Sequence, residues 1–388
     1  MLLQARLGPD DPSCMRHNVG VNPYPRTWVE IDLPALRHNL GLVREAVGDP
    51  AVKVALVAKA DAYGHGLVPV SRFALQNGAD WIAVATVQEG IALRDAGIEA
   101  PIIVISPILP VEADQAVFYR LRCVLERIET AEALNDAALE QSTRAIVHLE
   151  VDTGLARFGC MPNEAPGLAE AVRSLPGLQL EGLCTHFANS GRDPDRTIVQ
   201  LEQFCEVIEK CRALGIHFDV IHSANSAGAV KYPRSRFDLV RVGIGAYGMD
   251  PYEMLGGKAI PVLTWKARVM AMRELPPGCP VSYSGTYLTK RTERIATLGV
   301  GYGDGYPRAL SNIGIVSIRG HEVPVVGMVC MDQVLIDVTE LPEVEIGDAA
   351  IIVGDSVPAE RLAKLIDTTA HAFTTQIMSR VPRRYIFE

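Results

Sequence analysis

Lys59 directly follows the apolar run 54–58 (VALVA) and precedes the stretch Tyr63-Gly64-His65-Gly66. A lysine amine whose pKa is lowered by partial burial can form a Schiff base with an aldehyde cofactor and afterwards act as a base. At the end of a strand a lysine is ordinarily a solvated charge. Here, the two glycines permit close backbone approach, and a helix start follows them, which argues against that default. Further polar residues recur at the ends of other apolar runs: Asp152-Thr-Gly-Leu-Ala-Arg157, Thr185-His186-Phe187, Ala224-Asn225-Ser226 and Arg241-Val-Gly243-Ile244. Ser226 and the Gly243 and Ile244 amides would suit a phosphate, although alone Gly243 could simply turn the chain and Ser226 cap a helix.

The elements that must position these residues alternate. Apolar, β-branched runs at 54–58, 81–85, 102–105, 122–125, 145–151, 179–184, 218–221 and 238–242 are candidate strands, and helical patterns such as 86–96, 129–140 and 195–213 separate most of them. This is βαβ alternation, and eight such units fit a closed (β/α)8 TIM-type barrel better than an open sheet. In such a barrel the residues named above share the rim at the carboxyl ends of the strands, where barrel enzymes hold their sites. No GxGxxG follows a strand, so the main argument for a dinucleotide fold is missing. Ahead of the alternation, Leu36, Leu40, Val43 and Val47 recur at helical spacing behind a capping Asp32. Beyond about residue 262, strand-like runs with Gly and Pro turns predict a mostly β domain, interrupted by one helical pattern at 359–379. The expected division is an extension at 1–25, a barrel at 26–262 and a β domain at 263–388.

Composition narrows the partners. With 388 residues, 48% of them hydrophobic, the chain can bury a large core, and a net charge of −9 gives no general attraction to nucleic acid or an anionic membrane. A small-molecule ligand is therefore expected. The eight cysteines show no CxxC or Cys/His spacing suited to a metal, and reduced thiols in a cytoplasmic protein are expected. No run reaches the length of a membrane span, and no signal-peptide pattern opens the chain.

The motifs VAKADAYGHG, HLEVDTGLARFG, THFANS, HSANSAG, VRVGIGAYG, VSYSGTY, GYGDGYPR, GMVCMDQ and RVPR occur in order from about Trp28 to the C-terminus. In types and spacing they resemble the alanine racemase family. The resemblance implies that Lys59 carries pyridoxal 5′-phosphate and that Tyr63, Asn225, Ser226, Gly243 and Ile244 hold the cofactor. It also implies that Arg241 faces the pyridine nitrogen, with His186 linking it to the catalytic tyrosine. A guanidinium cannot release its proton there, so the ring stays a weaker electron sink, which favours reprotonation over transamination.

Racemisation removes a proton from one face of the α-carbon and delivers one to the other, and the resemblance makes Lys59 and Tyr283 the two bases. In the family the tyrosine enters from the partner of a head-to-tail homodimer. Tyr302 and Cys330-Met331-Asp332 resemble further partner-derived groups, with Met331 near the substrate carboxylate. The implied activity is interconversion of L- and D-alanine, supplying D-alanine for peptidoglycan. A broader racemase that includes serine is the first alternative, because Ser379 stands before RVPR where the family often has tyrosine. The acidic and cysteine motif of a related decarboxylase is missing, and a non-catalytic cofactor carrier would lack the second domain that holds VSYSGTY.

The chain departs from the family at Glu150. Many members have a carbamylated lysine there, whose charge orients an arginine seven residues later, here Arg157. Strand alternation puts His148, Glu150 and Asp152 on one face, which in a barrel can point inward beneath the cofactor. A carboxylate would supply the same charge directly and accept a bidentate bond from Arg157 to aim it at the substrate carboxylate or the cofactor's phenolic oxygen.

Overall fold

The structure, a computed structural model, describes residues 25–388. The extension expected at 1–25 therefore lies almost wholly outside the described residues. The first strand, β1 (Thr27–Asp32), runs straight into the helix Leu33–Val47. Asp32 caps that helix by accepting the Ala35 amide at 2.8 Å, and Gly48 ends it in the left-handed conformation at φ 72°.

Eight parallel strands follow: β2 (Lys53–Val57), β3 (Trp81–Val84), β4 (Ile102–Val104), β5 (Arg122–Leu125), β6 (Ala145–Glu150), β7 (Leu178–Cys184), β8 (Val220–His222) and β9 (Leu239–Val242). They pair in the order β8-β7-β6-β5-β4-β3-β2-β9. The ends meet where the Asp238 amide donates to the Ile221 carbonyl at 3.0 Å and the Arg241 amide to that of Ala224 at 2.9 Å, closing the barrel. Alternation along the strands divides the core. Ala55, Val57, Trp81, Ala83, Ile103, Val124 and Leu239 pack together inside, while Val54, Leu56, Ile82, Leu149 and Val240 belong to the larger core shared with the helices.

The second domain is built on β10 (Leu263–Leu275), the short pair β11 (Pro280–Val281) and β12 (Tyr287–Leu288), β13 (Glu293–Leu298), β14 (Ile315–Ile318), β15 (His321–Pro324), β16 (Val334–Asp337), β17 (Ala349–Val353) and β18 (Arg383–Ile386). Its main sheet is ordered β15-β14-β17-β10-β1-β18, with β13 joining β10 to β16. This corrects the expected start of the barrel at residue 26. β1 lies antiparallel to β10, with Thr27 opposite Ala267, and parallel to β18, with Val29 opposite Arg383. A strand's own pattern cannot name a partner so far along the chain. The helical pattern at 359–379 resolves into two short helices, Ala359–Leu365 and Ala370–Thr374, rather than one.

Candidate active site

Lys59 leaves β2 into a cavity of about 330 Å³ at the carboxyl ends of the barrel strands. The backbone just after it is held by the helix Val87–Asp95 that follows β3: the capping box of Thr86 and Glu89 leaves one Glu89 oxygen to accept the Ala60 amide at 2.6 Å. From Ala60 to Tyr63 the chain makes a left-handed turn, φ 52–56°, in non-glycine residues that disfavour it by roughly 1–2 kcal/mol each. That turn brings Tyr63 back over the cavity. Its ring lies 5.0 Å from that of Tyr247, whose hydroxyl donates to the Val57 carbonyl at 3.0 Å.

The glycines of the same loop face the second domain. A Cβ on Gly64 would stand 2.3 Å from the Thr374 carbonyl oxygen, and one on Gly66 would stand 1.9 Å from the Tyr385 hydroxyl. Arg383 adds a bond from Nε to the Gly64 carbonyl at 3.2 Å. The Lys59 loop is thus clamped between domains, which explains the glycines better than approach to a ligand.

Lys59 Nζ has no hydrogen-bond partner among the described residues, and burial, then the charge of Arg157, lower its pKa from the ordinary value. Both effects enrich the neutral, nucleophilic amine. At one end of the cavity the Ser226 hydroxyl accepts the Gly243 amide at 3.0 Å, so that amide is already engaged, whereas the Ile244 amide is unpaired among the described residues. Tyr63 stays a protonated donor, since burial pushes its pKa up to about 12. Asn225 lines the cavity but is engaged structurally, its Oδ1 capping the helix Ser226–Lys231 through Gly228 and accepting from Ser190.

Toward the barrel axis, buried Arg241 donates from Nη2 to the Thr185 and Ser223 carbonyls at 2.8 and 3.2 Å and lies 3.2 Å from His186 Nδ1. Burial first, then the charge of Arg241, hold the His186 pKa well below its usual value. The imidazole is therefore neutral, and its Nδ1 can accept from the arginine. The expected contact between Arg241 and His186 is present.

Glu150 points inward. It is 6% exposed and shares a smaller cavity of about 40 Å³ with Lys59, Arg157, Cys184, His186 and Arg241. Burial raises its pKa to about 7, against the lowering effects of Arg241 and Arg157. Arg157 lines both cavities but stacks on the Phe158 ring at 4.3 Å, and no ion pair joins it to Glu150 here.

The remaining candidates do not meet Lys59 within one chain. Tyr283, 69% exposed, stands in the turn between β11 and β12, and neither it nor Tyr302, Met331 or Asp332 lines the Lys59 cavity. Tyr302 and Met331 stand together: the Tyr302 and Gly303 amides donate to the Cys330 and Met331 carbonyls at 3.0 and 2.8 Å. Asp332 pairs with Arg380 at 2.7 Å, and Arg380 and Arg26 both reach buried Asp304.

Several lining residues escaped the sequence reading, notably His371, whose ring lies 6.2 Å from that of Tyr63. Nothing in its helical pattern marks it, because its place at the cavity follows from domain packing. Ser379 is exposed and is not among the residues that line this cavity.

Two family models match, the alanine racemase N-terminal domain over residues 31–251 and the alanine racemase C-terminal domain over residues 262–385. An alanine racemase of Halothermothrix orenii is 42% identical over 92% of this chain and 96% of its own length, and one of Symbiobacterium thermophilum is 40% identical over 92% and 97%. Among solved structures, the alanine racemase of Clostridium difficile 630 matches with a TM-score of 0.90 at 31% identity, over 94% of this chain and 97% of its own. That of Bartonella henselae, described with covalently bound pyridoxal phosphate, matches with a TM-score of 0.85 at 26% identity, over 93% and 100%.

Proposed function

The chain belongs to the alanine racemase family, and on that footing we propose that it interconverts L- and D-alanine at the Lys59 cavity with pyridoxal 5′-phosphate as cofactor. The observation that carries this is an unpaired, pKa-lowered lysine in a cavity with the Ser226 hydroxyl, a free Ile244 amide and the Tyr63 hydroxyl at one end and Arg241 at the other. Those residues fit the group: an amine for its aldehyde, donors for its phosphate, and a fixed cation for its ring nitrogen. When bound, the cofactor supplies the conjugated ring that acidifies the substrate's α-hydrogen.

The chain's own groups move the protons. Lys59 Nζ takes or returns a proton on one face of the α-carbon, and Tyr283 of the partner subunit does so on the other. The exposure of Tyr283 and its absence from the cavity of its own chain support this division, and with it an active unit that is a head-to-tail homodimer. Tyr302 and Met331 of the partner subunit narrow the entrance beside it. Arg157 receives the substrate carboxylate, and Glu150, in the adjoining small cavity, supplies the charge that turns Arg157 toward it once substrate is bound.

The test is chemical. Borohydride reduction of the loaded protein should fix the cofactor on Lys59 in a peptide map, and chiral chromatography should follow L-alanine to an equal mixture, with L-serine as comparison. Lys59→Ala should abolish the cofactor's absorbance band and the conversion. Cofactor fixed on another lysine, or no D-alanine from the loaded protein, would overturn the assignment.

A further inference from the structure

Arg241 is one end of a buried chain of hydrogen bonds that leaves the cavity and crosses the barrel. Its Nη1 reaches Nδ1 of His222 at 2.5 Å, His222 Nε2 lies 2.9 Å from His148 Nδ1, and His148 Nε2 lies 2.8 Å from Glu181 Oε2. Arg122, the first residue of β5, closes the far end, with Nε 2.7 Å from Oε2 and Nη2 3.1 Å from Oε1 of Glu181. Both histidines are completely buried.

The backbone is shaped around this chain. Pairing of β6 with β7 slips between Val147–Leu180 and His148–Gly182, so Glu181 is the extra residue of a bulge, a device that re-aims a side chain. Beside it, a Cβ on Gly182 would fall 2.2 Å from His148 Nδ1, so only glycine leaves room for that ring.

The two ends dictate where the protons lie. A guanidinium only donates, so His222 Nδ1 accepts and its proton is on Nε2; that N–H donates to His148 Nδ1, whose own proton is then on Nε2. An ionised carboxylate only accepts, so Glu181 completes the series in one direction. Burial keeps both histidines below their ordinary pKa and therefore neutral. Burial opposes the Glu181 charge, but the hydrogen bonds from His148 and Arg122 outweigh it and hold the carboxyl at about 2. With no acceptor at position 181, His148 can reverse its tautomer. His222 would then follow and set an N–H against Arg241.

We infer that Glu181 is a positioning residue for the cofactor: acting through His148 and His222, it fixes the orientation in which Arg241 meets the ring nitrogen. This rests on the proposed placement of Arg241 against that ring. The expected consequence of losing it is a partition defect rather than a binding defect. Arg241 would give way and the ring nitrogen could take a proton from water, so that more encounters with alanine would end in transamination, the amino group passing to the cofactor and the carbon skeleton leaving as pyruvate.

The test compares Glu181→Met, Glu181→Gln and Arg241→Gln with the wild type. Nitrogen NMR of histidine-labelled protein, with and without cofactor, reads the tautomers directly, and the ratio of racemisation events to cofactor amination reads the consequence. Wild type and Glu181→Gln, whose amide oxygen still accepts, should show both buried histidines protonated on Nε2. Glu181→Met should lose that pattern and raise amination per racemisation about tenfold, as expected for a broken buried bond to a charged group, with KM for alanine within about twofold of wild type. If Glu181→Met does not fold, Glu181→Asp, whose shorter carboxylate falls short of His148, should give the same two changes. An unchanged partition in Glu181→Met or Glu181→Asp beside a changed one in Arg241→Gln would overturn the inference alone. An unchanged partition in all variants would overturn the placement of Arg241, and the inference with it.

Discussion

If Tyr283 serves the neighbouring subunit, two inactive proteins should repair one another. Tyr283 stands in a turn flanked by left-handed Ser282 and Ser284, φ 61° and 59°, which projects its ring outward, and it does not line the Lys59 cavity of its own chain. Removing a positioned general acid or base costs about 10²–10⁴-fold in rate, so Lys59→Ala and Tyr283→Phe homodimers should both be nearly silent. In a hybrid, the site combining Lys59 of one chain with Tyr283 of the other is intact, and the second site lacks both. Random pairing of equal amounts makes half the dimers hybrids, so roughly a quarter of wild-type activity should return, since a two-fold dimer holds two equivalent sites. Co-expression with two affinity tags, sequential purification of the hybrid and a chiral assay measure this; the isolated hybrid should show about half the wild-type rate per dimer. A tyrosine acting within its own chain leaves both hybrid sites broken. A pure hybrid with no activity would refute the shared site.

Three further outcomes follow from the same structure. Glu150→Gln should raise KM for alanine while cofactor binding survives. Because the folded pKa of Glu150 is raised to about 7, its favourable contribution is present below about pH 4.5 and lost as pH rises through 7. The glutamine protein should then be more stable above pH 8, by up to roughly 3 kcal/mol in cofactor-free denaturation. Unchanged kinetics would count against the residue's role toward Arg157, and bicarbonate removal should not affect the wild type. His65, fully buried and stacked on Tyr247, has its pKa lowered by burial to about 4, so stability present above about pH 6.5 is lost as pH falls toward 4. At pH 5 this amounts to roughly 2 kcal/mol, and a His65→Asn protein whose stability falls as steeply between pH 6.5 and 5 would contradict it. Gly64→Ala should cost roughly 2–4 kcal/mol, since φ is +85° and the new Cβ meets the Thr374 carbonyl. A denaturation midpoint equal to wild type would show that the domain clamp is looser than drawn.

Much of this protein is legible in its sequence because much of it is local. The helix Leu33–Val47 with its Asp32 cap, the eight barrel strands and the inward phase of Glu150 follow from periodicities of two and 3.6 residues, which need only neighbours to be read. Position at a strand's end places Lys59, His186, Ser226 and Arg241 on one rim, since closing a parallel barrel brings all carboxyl ends together. What tertiary structure alone decided is pairing across distance. β1 joins β10 and β18 because their edges need its backbone bonds, and no pattern within TWVEID records that choice. The loop after Lys59 takes a left-handed path and presses two glycines against Thr374 and Tyr385, so contacts more than 300 residues away determine which residues are tolerated there. Glu181 turns into the barrel because a one-residue slip between β6 and β7 overrides strand alternation. Short-range pattern sets which side chains face inward, and only closure and domain packing determine which of them meet.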